Sequence, residues 1–230
     1  MEIMNTKLNT NFSKYVLGYH MFNKQPLKEA RWEEANSDIF KRSGISVHSE
    51  SDGSHSSGMD LNTSFGTFSN KSSKYSKNKE YFDISSYRLT TVCNQNNYGT
   101  PEEIIQEINK RKNYDKYSIL IRDEKKNNPK IWYDWMILPS DYIIMNPSSY
   151  TWIPKIGKNK DTQVGWITND INGSNMEISF SMSSQLWIHI KMTDELKKFI
   201  VASVEVNQNP EYNYIDIQEI LSSSDSNEAL

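Results

Sequence analysis

Between Ser49 and Lys71 the chain reads SESDGSHSSGMDLNTSFGTFSNK, which crowds carboxylates, a histidine and small polar residues together with little apolar content. Such a stretch has no apolar stripe to bury as a helix, so core packing does not account for it. It folds as short strands and turns held by their neighbours. Met59 to Asn62 and Thr67 to Lys71 read as two strands, with Ser64-Phe65-Gly66 as the tight turn between them. Asp60 then stands on the first strand. Ser69 and Lys71 share one face of the second, because side chains repeat every second residue along a strand.

Around this segment the reading is an alternation of helices and strands. The first 25 residues are polar and read as an arm or loosely docked segment. Pro26 opens a helix through Arg42, in which Trp32, Ala35, Ile39 and Phe40 fall on one arc and Glu34 and Asp38 on another face, and Gly44 stops it. Ile45 to His48 reads as a short strand. Thr100-Pro101-Glu102-Glu103 predicts a helix start, with a capping threonine, a proline in the first turn and a reciprocal glutamate. Ile104, Ile105 and Ile108 form its apolar stripe. Tyr117 to Ile121 reads as a buried strand, as do Ile131 to Leu138, Tyr142 to Met145, Met176 to Phe180 and Leu186 to Ile190. Asn146-Pro147, Gly157 and Asn172-Gly173 punctuate them. Thr193 either caps a short helix or leads into a strand through Val206, and Tyr81 to Val92 takes no assignment. The expected organisation is one domain over 1–230: an arm (1–25), a catalytic core (26–122), a recognition and dimerisation elaboration (123–222) and a frayed tail (223–230).

Composition narrows the function classes. With 12% aromatics, the chain has enough large side chains for a core although only 36% of it is hydrophobic. A lone cysteine, Cys93, excludes an internal disulfide framework and fits a reducing cytoplasm. Neither a signal peptide nor a membrane span is visible. A net charge of −3 argues against a passive nucleic-acid coat. It does not exclude an enzyme that gathers lysines locally, and Lys71, Lys74, Lys77 and Lys79 follow one another with no acid between. A second cluster comprises Lys155, Lys158 and Lys160. The ordinary fate of such a run is a solvated loop.

The chemistry of Asp60 and Lys71 suits phosphodiester hydrolysis. That reaction uses carboxylates to hold a metal ion, the metal to polarise the phosphoryl oxygens and acidify a water, and a charged group beside that water. Asp60 could bind Mg2+, Lys71 could serve the attacking water, and Ser69 lies beside them. A second carboxylate is needed. Glu34, on the polar face of the preceding helix, is the first candidate, and Glu80 and Asp83 compete with it. The spacing of Asp60 and Lys71 alone is nonspecific, since any hairpin can carry an acid and a lysine. Structural zinc does not fit one cysteine and four histidines. Asp52, His48 and His55 read as loop residues near the site that contact DNA. Lys74 and Lys77 suit phosphates. Arg88 suits a phosphate or a guanine edge, and Gln185 an adenine edge, with a structural salt bridge the equal alternative for Arg88. The triplet His189-Ile190-Lys191 lacks the aspartate that a phospholipase-D-like site needs.

Several blocks resemble type II restriction endonucleases of the PD-(D/E)xK nuclease superfamily. Ala30-Arg31-Trp32-Glu33-Glu34-Ala35 resembles their opening helix, and Ser54 to Leu61 (SHSSGMDL) their SGxD strand. Phe65 to Lys71 (FGTFSNK) resembles the strand that bears the lysine. Ile84 to Thr90 (ISSYRLT) and Ser181 to Trp187 (SMSSQLW) resemble further blocks of these enzymes. Serine stands where the superfamily has its second acid, and some SxK enzymes take that carboxylate from another element. The resemblance implies an α/β fold with a restriction-endonuclease-like mixed central sheet flanked by helices and a β-rich C-terminal elaboration. It also implies Mg2+, double-stranded DNA as partner, and a two-fold homodimer matching the symmetry of the target. The expected function is therefore a sequence-specific double-stranded DNA endonuclease. Two alternatives stand beside it, a non-catalytic DNA-binding protein and a repair or structure-specific nuclease of the same fold.

Overall fold

Thr100 begins the helix that sets the sheet's central geometry. Its side chain accepts from the Glu103 backbone N–H at 3.3 Å, and the Glu103 carboxylate accepts from the Thr100 N–H at 2.8 Å. This helix returns the chain across the sheet, so the strand that follows it (116–124) pairs in parallel with the strand over 66–76. The structure is a computed structural model and describes residues 2–50, 58–125, 128–159, 161–208, 210–213 and 215–217.

In chain order the elements are α1 (Glu2–Phe22), α2 (Glu29–Arg42), β1 (Val47–Glu50), β2 (Leu61–Thr63), β3 (Gly66–Ser76), β4 (Tyr81–Arg88), α3 (Pro101–Arg111), β5 (Lys116–Glu124) and β6 (Lys130–Pro139). Then follow β7 (Trp152–Ile156), β8 (Gln163–Thr168), β9 (Asn175–Ser179), β10 (Gln185–Lys191), the one-turn α4 (Asp194–Lys197) and β11 (Ile200–Asn207). The protein is mixed α/β, with one large mixed sheet in the order β11-β6-β5-β3-β4-β10-β9-β8-β7 and a side branch in which β1 pairs β2 and β2 pairs β3. Strands β3 and β5 are parallel, with Ser69 opposite Tyr117 and Lys71 opposite Ile119; the other strand pairings are antiparallel.

Both faces of the central strands are covered. Tyr117, Ile119 and Ile121 of β5 join the apolar cluster that holds Ile104 and Ile108 of α3, whereas Leu120 joins the cluster under α1 and α2. A strand buried on both faces reads as a continuous apolar run, which is why Tyr117 to Ile121 is legible. On the second face Phe12 meets the rings of Trp32 and Trp135 at 6.1 and 5.7 Å, and Trp32 meets Trp135 at 5.5 Å. Burying side chains of this size stabilises by roughly 1.5–3 kcal/mol each.

Four expectations change. The N-terminal segment is not an arm: α1 buries Leu8, Phe12, Val16 and His20 at four-residue spacing, a stripe too narrow to stand out in a polar sequence. Tyr142 to Met145 is not a strand but a single 3-10 turn, Ile143–Met145, closed by Met145 N–H donating to the Tyr142 carbonyl at 2.7 Å. The unassigned Tyr81 to Val92 stretch supplies β4, and β7 and β8 form an antiparallel pair that was not expected. Thr193 both caps α4, through Leu196 N–H at 3.3 Å, and precedes β11. The tail 218–230 lies outside the described residues, and no helix among them is long and apolar enough to cross a membrane.

Candidate active site

The site forms where β3 loses its neighbours on one edge. Strand β2 pairs only with Gly66 to Phe68, and β4 rejoins the same edge only at Tyr75 and Ser76. Between them two side chains replace the missing strand. Asp60 donates its own N–H to the Phe68 carbonyl at 2.8 Å. Its Oδ2 accepts the Asn70 N–H at 2.6 Å and the Ser69 hydroxyl at 3.2 Å. Further along, Ser73 Oγ donates to the Asp83 carbonyl at 2.7 Å and accepts from the Asp83 N–H at 3.2 Å. The stretch Asn70 to Ser72 is thus an opening in the sheet edge with a carboxylate at one lip.

Lys71 lies in this opening. Its ammonium donates to the Asn70 carbonyl at 2.9 Å, and the residue is half-buried. Asn70 therefore gives its N–H to Asp60 and its carbonyl to Lys71, while its side chain turns to the opposite face. Asp60 and Ser69 are hydrogen-bonded, and Lys71 lies two residues beyond Ser69 on the same face of β3. Gly58 makes the approach of Asp60 possible. It has φ +74°, and a Cβ there would lie 2.3 Å from the Arg111 carbonyl oxygen at the end of α3. Only a residue without a side chain takes that conformation in that space without strain.

Of the two adjacent glutamates on α2, Glu33 is the one coupled electrostatically to Asp60 and Lys71. Partial burial raises the Glu33 pKa above the ordinary carboxylate range, the charges of Asp60 and then Glu29 raise it further, and Lys71 opposes them. Glu33 is thus within electrostatic reach of both Asp60 and Lys71, although its tip is open to solvent. Glu34 instead pairs with Arg31 at 2.9 Å on the exposed side, and its charge is felt by Tyr15 of α1. The reason is rotational. At about 100° per residue, the arc of Trp32, Ala35, Asn36, Ile39 and Phe40 puts Glu34 opposite the core and Glu33 at its flank. That signal was present in the helical pattern, since Trp32, Ala35, Ile39 and Phe40 already centre the arc.

The other candidates are elsewhere. Asp83 points to β10, where its carboxylate pairs with His189 Nδ1 at 2.7 Å, and this pairing raises the His189 pKa despite partial burial. Glu80 sits in the β3–β4 turn, where its carbonyl accepts from Met192 N–H at 2.7 Å. The lysine run is largely engaged: Lys74 pairs with Glu124 at 3.2 Å, Lys79 with Asp123 at 3.5 Å, and Lys77 lies 4.5 Å from the centre of the Tyr81 ring. Lys155 of the second cluster pairs with Glu177 at 2.6 Å. Arg88 is exposed at the end of β4, opposite Gln185 of β10, whose amide donates to the Ser86 carbonyl at 2.6 Å. His48 is exposed on β1, and Asp52 and His55 lie outside the described residues.

Behind Asp60 three tyrosines fill the floor. Tyr87 and Tyr114 share a hydrogen bond at 2.5 Å, and Tyr114 meets Tyr117 edge to face at 4.9 Å. Burial pushes the Tyr87 pKa up to about 12, against the pull of the Tyr114 hydroxyl, with Asp60 adding to the rise. These hydroxyls stay protonated at neutral pH and serve as fixed dipoles. Comparison with family models, curated proteins and solved structures gives no match for this chain.

Proposed function

We propose that the chain is a magnesium-dependent endonuclease that cuts double-stranded DNA at a short specific sequence, a PD-(D/E)xK nuclease of the SxK kind acting as a two-fold dimer. One observation carries the reading: Asp60 and Lys71 flank a break in the edge of β3, with Glu33 electrostatically coupled to both. The chain order gives further support. A helix precedes β1, β2 and β3, α3 crosses over, and β5 returns parallel to β3, with β4 inserted before the crossover.

The donor set fits Mg2+. This ion takes one or two protein carboxylates and fills its remaining positions with water and phosphate oxygens. Among the described residues no group of three or more metal-ligating side chains gathers, and Asp60 with Glu33 is the pair that the site offers. Burial first and then repulsion from Asp60 raise the Glu33 pKa, and a divalent cation would neutralise that repulsion. When bound, the ion would polarise the scissile phosphate and lower the pKa of a water.

The remaining steps belong to the chain. Asp60 is fixed by the Asn70 N–H and Ser69 hydroxyl, so its free oxygen has a defined direction. Glu33, on the helix and coupled electrostatically to the opening, would serve as a ligand in its ionised form. Lys71, held at the Asn70 carbonyl, places a positive charge where negative charge accumulates on the phosphoryl oxygens and where the attacking water is oriented. Arg88 and Gln185, adjacent on β4 and β10, are the proposed base-reading pair.

The test is incubation of the protein with phage DNA in Mg2+ and in EDTA. Discrete, metal-dependent fragments that disappear with Lys71→Ala are expected. A smear would favour a nonspecific nuclease, and preferential cutting of branched or damaged duplexes a repair enzyme. A second reading, a DNA-binding module without catalysis, draws on the Asp60 carboxylate already capping the β3 backbone, a sufficient structural task for it. That reading predicts binding indifferent to magnesium and intact DNA.

A further inference from the structure

Asn36 is fully buried in the middle of α2, where an aliphatic side chain would be the ordinary occupant. Its Nδ2 donates to Asn70 Oδ1 at 2.5 Å and to Ser118 Oγ at 2.9 Å. Ser118 is itself held by α2 and β6: its Oγ accepts from Trp135 Nε1 at 2.9 Å and its carbonyl from Trp32 Nε1 at 3.2 Å. The Asn36 carbonyl oxygen has no hydrogen-bond partner. An amide kept in a core with half of its capacity unused is a poor choice for stability alone.

Its connections lead to the candidate site. Asn70, which receives the Asn36 amide through its side chain, gives its backbone N–H to Asp60 and its carbonyl to Lys71. Glu33 lies three residues before Asn36, so pinning the Asn36 amide to β3 and β5 sets the rotation of α2 that brings Glu33 to the opening. An apolar residue at this position could slide along the sheet, whereas a paired amide has one register.

We propose that Asn36 is a positioning residue that holds Glu33 and Asp60 in one mutual geometry, so that the two carboxylates share a divalent cation. This inference rests on the metal-binding reading of the site. It is tested by magnesium and manganese titration of the full chain without DNA, followed by calorimetry, with circular dichroism as the check on folding. For Asn36→Leu, affinity should fall by roughly 10- to 100-fold, as for other groups that orient metal ligands, and Asn70→Leu should do the same. In a Glu33→Gln background, Asn36→Leu should cause no further loss, because its effect passes through Glu33.

If Asn36→Leu does not fold, Asn36→Ser removes the amide with less added bulk and bears the same test. A wild-type chain that binds neither metal overturns the metal-binding reading itself. A wild-type chain that binds, with Asn36→Leu folded and binding equally well, overturns the positioning role alone. Equal losses from Asn36→Leu with and without Glu33 would likewise overturn it, since a purely structural effect ignores residue 33.

Discussion

The separation of Glu33 from Glu34 gives a prediction that differs between two conditions. The Glu33 carboxyl is raised by partial burial and by Asp60, so the folded chain holds that proton more tightly than the unfolded chain. Its contribution to stability is therefore greatest below the ordinary glutamate value of 4.5 and is lost as pH rises through the raised folded value. Glu33→Gln should be more stable than wild type in EDTA at neutral pH, with the difference closing at acid pH where the wild-type carboxyl is protonated. With magnesium the wild type gains more. At a metal concentration ten times Kd, linkage adds about 1.4 kcal/mol to the wild type, and at about 2–4 °C per kcal/mol this raises Tm by roughly 3–6 °C. A tenfold weaker site gains about 0.4 kcal/mol, or roughly 1 °C. Glu34→Gln, which loses only an exposed pair with Arg31, should match wild type in both conditions. Differential scanning fluorimetry of the three proteins across pH, with EDTA and with magnesium, measures all of this. Equal magnesium gains for Glu33→Gln and wild type, or a loss of gain in Glu34→Gln instead, would refute the assignment.

Three further outcomes are expected. Gly58→Ala forces a Cβ to within 2.3 Å of the Arg111 carbonyl at φ +74°; left-handed strain of about 1–2 kcal/mol and overpacking of about 1–3 kcal/mol should lower Tm by roughly 5–15 °C, and an unchanged Tm would remove Gly58 as the pivot for Asp60. The Asp83–His189 pair raises the His189 pKa, so its stabilisation is complete below the ordinary histidine value of 6.5 and lost as pH rises through the folded value. Asp83→Asn should flatten that dependence and lower the His189 titration seen by NMR; because both side chains are partly exposed, the effect on stability should stay under about 1 kcal/mol. Asp134 accepts from Tyr75 Oη at 2.8 Å, Trp132 Nε1 at 2.8 Å and Ser203 Oγ at 2.5 Å, so Asp134→Ala strands three donors and should cost about 3 kcal/mol or more in urea unfolding; a cost below about 1 kcal/mol would show that water replaces the carboxylate.

Local chemistry by itself determined the α3 start, the stop of α2 at Gly44, the short strands on either side of Ser64-Phe65 and the buried run of β5, because caps, left-handed glycines and apolar periodicity act within a few residues. It also determined that Asp60 meets Ser69 and that Lys71 shares the strand face of Ser69, since a short turn and the strand period leave few other arrangements. Tertiary structure decided which glutamate joins them. The burial of Asn36 is likewise a tertiary outcome, since its partners Asn70 and Ser118 lie 34 and 82 residues away and no local pattern marks a polar residue as buried until those partners arrive. The same holds for the lysines after β3: their ion pairs with Asp123 and Glu124 exist only because β5 returns parallel to β3 and brings the two strand ends together.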